Sequence, residues 1–113
     1  MASNTVLLFT RNGLGDATPE LQQQLAVKFL GLLQESGQLP AMILFYTNGV
    51  KLACHGSPVL DLLRSLEAQG VELVLCKTCL DYFELTDQVS VGIVGGMPDI
   101  IEAMQKAGKL IAL

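Results

Sequence analysis

Gly70-Val71-Glu72-Leu73-Val74-Leu75-Cys76-Lys77-Thr78-Cys79 is the stretch from which the fold of this 113-residue chain is read. Val71 to Leu75 is a short run, aliphatic but for Glu72, that follows a glycine, and it is read as a strand. A C-x-x-C spacing follows where that strand ends and a helix is expected, from about Cys79 to Leu85. The same grammar recurs on both sides. Further strands are predicted at Thr5–Phe9, Met42–Tyr46, Val89–Val94 and Leu110–Leu113. Helices are predicted from Thr18-Pro19 to Ser36, from Ser57-Pro58 to Gly70, and from Pro98 to Gly108. Proline suits the first helical turn, where the N–H has no partner, and glycine past the end supplies a left-handed cap. The inward stripes are read as Leu21, Leu25, Phe29, Leu32 and Leu33; Val59, Leu62, Leu63 and Leu66; and Ile100, Ile101 and Met104. Strands apolar on both faces, alternating with helices, predict an α/β fold with a parallel sheet between helical layers.

Composition bounds the rest. The chain is half hydrophobic, 16% charged, with a net charge of −4 and a mean hydropathy of +0.46. Its length fits one domain over residues 1–113. Charge well below the roughly 25% usual for soluble chains, joined to this high hydropathy, argues against intrinsic disorder. The longest clear apolar run, Ala41 to Tyr46, is strand-sized, so no membrane span is predicted. The surplus apolar surface is assigned to a subunit interface, hence a homo-oligomer. Met1-Ala2-Ser3-Asn4-Thr5-Val6 carries no export signal, so a cytoplasmic location with reduced cysteines is expected. The acidic balance offers no footprint for nucleic acid or anionic lipid.

The chemistry centres on Cys76 and Cys79. A thiolate is the nucleophile, favoured by helix N-terminal amides and by cations such as Lys77. The competing reading is that Cys76 merely closes a buried strand. A thioredoxin-type role fits poorly, because that motif lies early in its fold. Zinc would need Cys54, His55, Cys76 and Cys79 to converge, and neighbours such as Cys54 and His55 rarely do, so no metal and no cofactor is assigned. Cys54 reads as a core filler. His55 is either a proton shuttle or a solvated side chain.

Arg11-Asn12-Gly13-Leu14-Gly15-Asp16 lacks the third glycine of a dinucleotide fingerprint and the Gly-Lys-Ser/Thr of a phosphate-binding loop. Its glycines serve a turn or cradle an anion at the first helix. Strand ends Phe9-Thr10-Arg11 and Leu75-Cys76 lack a receiver's acidic cluster. Gly95-Gly96-Met97-Pro98 forms a tight turn or approaches the cysteine loop. Segments 11–17, 47–56 and 95–97 all follow strands, at the edge where open α/β sheets bind ligands.

These residues together resemble the DsrE/DsrF-like family, and most closely the DsrE-like domain of YedF-type sulfurtransferase-like selenium metabolism proteins. The resemblance is carried by Leu14-Gly15-Asp16, Asn48-Gly49-Val50-Lys51-Leu52, Gly56-Ser57, Gly70 to Leu73, Cys76 to Leu85, Val91-Gly92, Met97 and Ile100. The chain departs from it at Lys77, where glycine is usual, and at Cys54-His55 and Gly95-Gly96. The resemblance implies a three-layer α/β/α sandwich on a five-stranded, mainly parallel sheet, assembled as a homo-oligomer. It implies a sulfur carrier that relays sulfane sulfur as a cysteine persulfide, with a possible link to selenium and a sulfur-carrier partner of the TusA kind. Cys76 maps to the relay cysteine and Cys79 to the second cysteine of the pattern. Cys76 is expected to attack, Cys79 to resolve or carry, and amides near residues 79 to 81 to stabilise the anion. Lys77, Thr78, Asn48, Gly15, His55, Gly96 and Met97 are the further binding candidates. The alternative is a non-enzymatic α/β binding module whose cysteines are structural or bind metal.

Overall fold

Apolar runs too short to be helices pair edge to edge in the computed structural model, which describes residues 4–113. The strands are β1 (Thr5–Phe9), β2 (Met42–Phe45), β3 (Glu72–Cys76), β4 (Ile93–Gly95) and β5 (Lys109–Ala112). All pairings are parallel, in the order β4-β3-β2-β1-β5. The helices are α1 (Pro19–Ser36), α2 (Leu60–Ala68), α3 (Lys77–Tyr82) and α4 (Met97–Lys106), with 3-10 helices at Thr47–Ala53 and Thr86–Gln88.

Register sets the core. Leu7, Ile43 and Leu73 lie side by side, as do Phe9, Phe45 and Leu75 two residues on, so these six share one face. All are buried, and the Phe9 and Phe45 rings stack with centroids 5.7 Å apart. The connections β1–β2, β2–β3 and β3–β4 step in one direction, and right-handed crossovers place α1, α2 and α3 over this face. The step from β4 back across to β5 reverses direction and puts α4 on the other face. A single ten-residue helix cannot cover five strands. Beside α4 a cleft of about 450 Å³ stays open, lined by Val6, Met42, Val74 and Ile93 with Glu102 and Ala103 of the helix.

α1 starts where Thr18 Oγ1 accepts the Leu21 N–H at 3.4 Å and stops at Gly37, left-handed at φ 73°. Its buried face differs from the expected stripe. Ala26 and Leu30 are fully buried, with Phe29 and Leu33 partly so, whereas Leu21, Leu25 and Leu32 are exposed. Apolar residues occupy more than half of this helix's circumference, so periodicity does not select the arc. Tertiary packing does, and it closes over the small Ala26 and over Leu30. Ile101 of α4, also expected inward, is likewise exposed while Ile100 is buried.

Several boundaries shift for local reasons. α2 begins at Leu60, since Ser57 Oγ takes the Val59 N–H at 3.2 Å and forms a turn before the helix. Gly108 is not a left-handed cap; a Cβ there would lie 2.8 Å from that of Asn4, so close approach demands the glycine. The predicted strand Val89–Val94 shrinks to Ile93–Gly95. Gly92 at φ 84° breaks it, and Val89 and Ser90 pair instead with the chain around Cys54: the Ser90 backbone N–H donates to the Ala53 carbonyl at 2.9 Å, and the His55 backbone N–H to that of Gln88 at 2.8 Å.

The segment 47–56, predicted irregular, contains the 3-10 helix Thr47–Ala53, with Gly49, Val50, Leu52 and Ala53 buried. It lies over the C-terminal end of β1, and a Cβ at Gly49 would collide with the Phe9 carbonyl. No helix among the described residues is long and apolar enough to cross a membrane. Because backbone is the obstacle, Gly49→Ala is expected to destabilise the fold by about 2 kcal/mol or more, read as a lower denaturant midpoint.

Candidate functional site

The C-terminal ends of β1, β2 and β3 lie in register, so Thr10, Thr47 and Cys76 emerge at one edge of the sheet. Cys76 ends β3 and caps α3, with extended backbone and 1% exposure. α3 therefore starts two residues earlier than the sequence indicates, and its free N-terminal amides belong to residues 77–79 rather than 79–81. Cys79 sits inside the first turn and is only partly buried. All three cysteines of the chain are free thiols.

Thr47, at the start of the 3-10 helix that follows β2, meets Cys79. Its N–H donates to Cys79 Sγ at 3.0 Å, and its hydroxyl lies on the carbonyls of Thr10 and Tyr46 at 2.5 and 2.7 Å. Thr47 has φ 49°, the left-handed region, which costs a β-branched residue about 1–3 kcal/mol. The sequence reading missed this residue. Its trace there is a threonine at a strand end followed by Asn48-Gly49, a turn signal.

The electrostatics differ from the expected activated thiolate. Burial pushes the Cys79 thiol above its ordinary value, the Thr47 N–H pulls it down, and the neighbouring Cys76 thiol pushes it up again. Burial prevails. Lys77 does not supply a counter-charge to sulfur, because its Nζ pairs with Asp81 Oδ2 at 2.7 Å, one turn along α3. Asp81 also accepts from Thr86 Oγ1 at 3.0 Å, and these partners hold its carboxyl below the usual range. The pair is exposed, so it adds little stability.

The other candidates separate into three places. Gly95 lies opposite Cys76 in the sheet, which brings the Gly95–Met97 turn beside the cysteine. There the Gly96 N–H donates to Asp99 Oδ2 at 3.0 Å and opens α4, while Met97 is exposed. Thr78 and Asn48 are exposed neighbours of Cys79 and Thr47. Gly15 belongs to a different contact: its carbonyl accepts from Gln22 Nε2 at 2.9 Å, folding residues 11–17 onto α1. Its φ of 76° makes it a turn glycine.

His55 is exposed at the far end of the 3-10 helix, in a separate cavity of about 250 Å³ with Lys51, Cys54 and Ser57. Cys54 is buried, its Sγ on the Val50 carbonyl at 3.2 Å, and burial pushes its thiol up. It does not join Cys76 and Cys79. Among the described residues, no group of three or more His, Cys, Asp or Glu is placed to share a metal ion.

The family model described as DsrE/DsrF-like matches residues 16–113. The fold is similar to that of the ychN protein from E. coli, with 18% identity, a TM-score of 0.73 and full coverage of both chains. It is also similar to MTH1491 from Methanobacterium thermoautotrophicum, a protein of unknown function, at 18% identity and a TM-score of 0.70, covering 96% of this chain and 97% of that one. No curated protein gives a significant match.

These burials order the thiols. In the folded protein Cys79 is expected to alkylate first, and Cys54 and Cys76 only slowly. Because its thiol is raised, the Cys79 rate climbs about tenfold per pH unit through neutrality, with a midpoint above that of free cysteine. Peptide mass spectrometry after timed alkylation across pH measures both.

Proposed function

Starting from the DsrE/DsrF-like family, to which this chain belongs, we propose that Cys76 and Cys79 carry sulfane sulfur as a cysteine persulfide. The observation that carries this reading is the pairing of unlike thiols at one strand-to-helix junction: Cys79 partly exposed and hydrogen-bonded, Cys76 buried beside it. The sequence reading has Cys76 attack first. Accessibility favours Cys79 as the entry point, with Cys76 behind it.

The steps follow thiol exchange. Cys79 thiolate attacks the outer sulfur of a donor persulfide, R–S–SH. A new S–S bond forms on Cys79, the donor S–S bond breaks, and the donor leaves as RS⁻. An acceptor thiolate then takes the outer sulfur and regenerates Cys79 thiolate. With no acceptor, Cys76 thiolate attacks Cys79 Sγ instead, forming a Cys76–Cys79 disulfide and releasing HS⁻. Selenium in place of the outer sulfur follows the same balance. A small sulfur-carrier protein of the TusA kind in the cytoplasm suits the acceptor role.

Self-association belongs to the same reading. Ile93, Val94, Met97 and Ile101 are all exposed around β4 and α4, next to the turn beside Cys76. Sedimentation should show a species larger than the 12.1 kDa chain, and Ile93→Glu with Ile101→Glu should return it to monomer.

A second reading has one observation in its favour: a thiol raised by burial is what a structural cysteine shows. Incubation of the reduced, folded protein with a small persulfide, followed by peptide mass spectrometry, separates the two. The Cys79 peptide should gain one sulfur or, after resolution, appear disulfide-bonded to the Cys76 peptide. Cys79→Ser should abolish the label, and Cys76→Ser should keep it while losing the disulfide. Neither added sulfur on Cys76 or Cys79 nor a Cys76–Cys79 disulfide in the wild type, together with no label in Cys76→Ser, overturns the carrier and leaves the binding module.

A further inference from the structure

Resting on the reading of Cys79 as nucleophile, we infer that Thr47 is a positioning residue whose hydroxyl, tied to the end of β1, holds its own backbone N–H on Cys79 Sγ. Three observations meet at this residue. Its backbone is left-handed at φ 49°, where threonine is disfavoured and glycine would sit without strain. Its hydroxyl reaches the Thr10 carbonyl across the strand boundary. Its N–H points at sulfur at 3.0 Å, with a whole helix and strand separating the two residues in sequence.

The surrounding turn leaves the amide little freedom. The Tyr46 N–H donates to the Phe9 carbonyl at 3.1 Å, and the Gly49 N–H returns to the Tyr46 carbonyl at 3.0 Å. Thr47 is thus fixed on both sides as well as by its side chain. An amide N–H is only a donor, so it favours the ionised sulfur over the neutral thiol.

The neighbouring charges do not duplicate this contact. On α3, Lys77 and Asp81 satisfy each other. From the 3-10 helix, Lys51 lies over the Phe83 ring at 4.4 Å. From β1 and β2, Thr10 and Tyr46 contribute carbonyls to the threonine hydroxyl. From β3, Cys76 is the titratable neighbour, and it opposes ionisation.

The test follows the sulfur and the amide independently of any sulfur transfer. Thr47→Val keeps the shape and removes the tie; Thr47→Ser keeps the tie. Alkylation of Cys79 near neutral pH should slow about 3–10-fold in Thr47→Val, as a lost charge-assisted hydrogen bond moves the midpoint upward, and Thr47→Ser should restore it. In the unmodified protein, the Thr47 amide resonance should titrate with the same midpoint as Cys79 alkylation, and that titration should vanish in Cys79→Ser. This second measurement stands even where Thr47→Val fails to fold. An amide that does not follow Cys79, or a folded Thr47→Val with an unchanged profile, overturns the inference. A titrating amide without persulfide labelling keeps Thr47 in this role and removes the carrier function. Labelling with a silent amide does the reverse.

Discussion

Parallel register across β1, β2 and β3 is the constraint from which the site follows. Because Phe9, Phe45 and Leu75 lie in one row, the residues just past them emerge together at one edge. Thr10, Tyr46 and Cys76 are distant in sequence and neighbours in space for that reason, and Thr47, one residue further on, is turned in beside them by its left-handed backbone and its bond to the Thr10 carbonyl. A slip of one residue in β2 would turn Ile43 and Phe45 to the other face, lose the stacked Phe9–Phe45 pair, and carry Thr47 away from sulfur. Core packing and site geometry are thus set by one choice of register.

Within that frame, the two cysteines are made different by position. Cys76 closes an interior strand and is buried, whereas Cys79 lies in the first turn of α3 and is only partly buried. The balance on Cys79 is between burial, which favours the neutral thiol, and one backbone donor, which favours the anion. Burial is larger, so this thiol is not activated by charge in the resting protein. Lys77, the nearest cation in sequence, is drawn off by Asp81. Reactivity at this site rests on access and on a fixed hydrogen bond rather than on a local positive field.

The sheet's second face shows what remains of the unusual hydropathy. Three helices cover one face and α4 alone covers the other, so a cleft and a group of exposed aliphatic residues persist beside β4. Part of that apolar surplus lies along the exposed side of α1, and another part around the Gly95–Met97 turn, next to Cys76. The same connection that makes the fold, a return from one edge of the sheet to the other, leaves this region underprovided with helices.

Much of the architecture is legible in the residues themselves. Runs such as Leu7-Leu8-Phe9 and Leu73-Val74-Leu75 have no polar face, so they must be buried on both sides, and the alternation with Pro-started, Gly-stopped helices makes them parallel. The C-x-x-C spacing likewise marks a thiol pair by itself. What the chain pattern does not resolve is orientation. Eight apolar positions around α1 leave its buried arc open until packing closes over Ala26 and Leu30, and Val89–Val94 looks like a strand until Gly92 must clear Leu73 and Leu75. Thr47 is the sharpest case. Hydropathy and spacing depend on residues near one another in sequence, so they determine strands, helices and the cysteine pair. The hydrogen bond from Thr47 to Cys79 joins the 3-10 helix after β2 to α3, and only the packed sheet decides it.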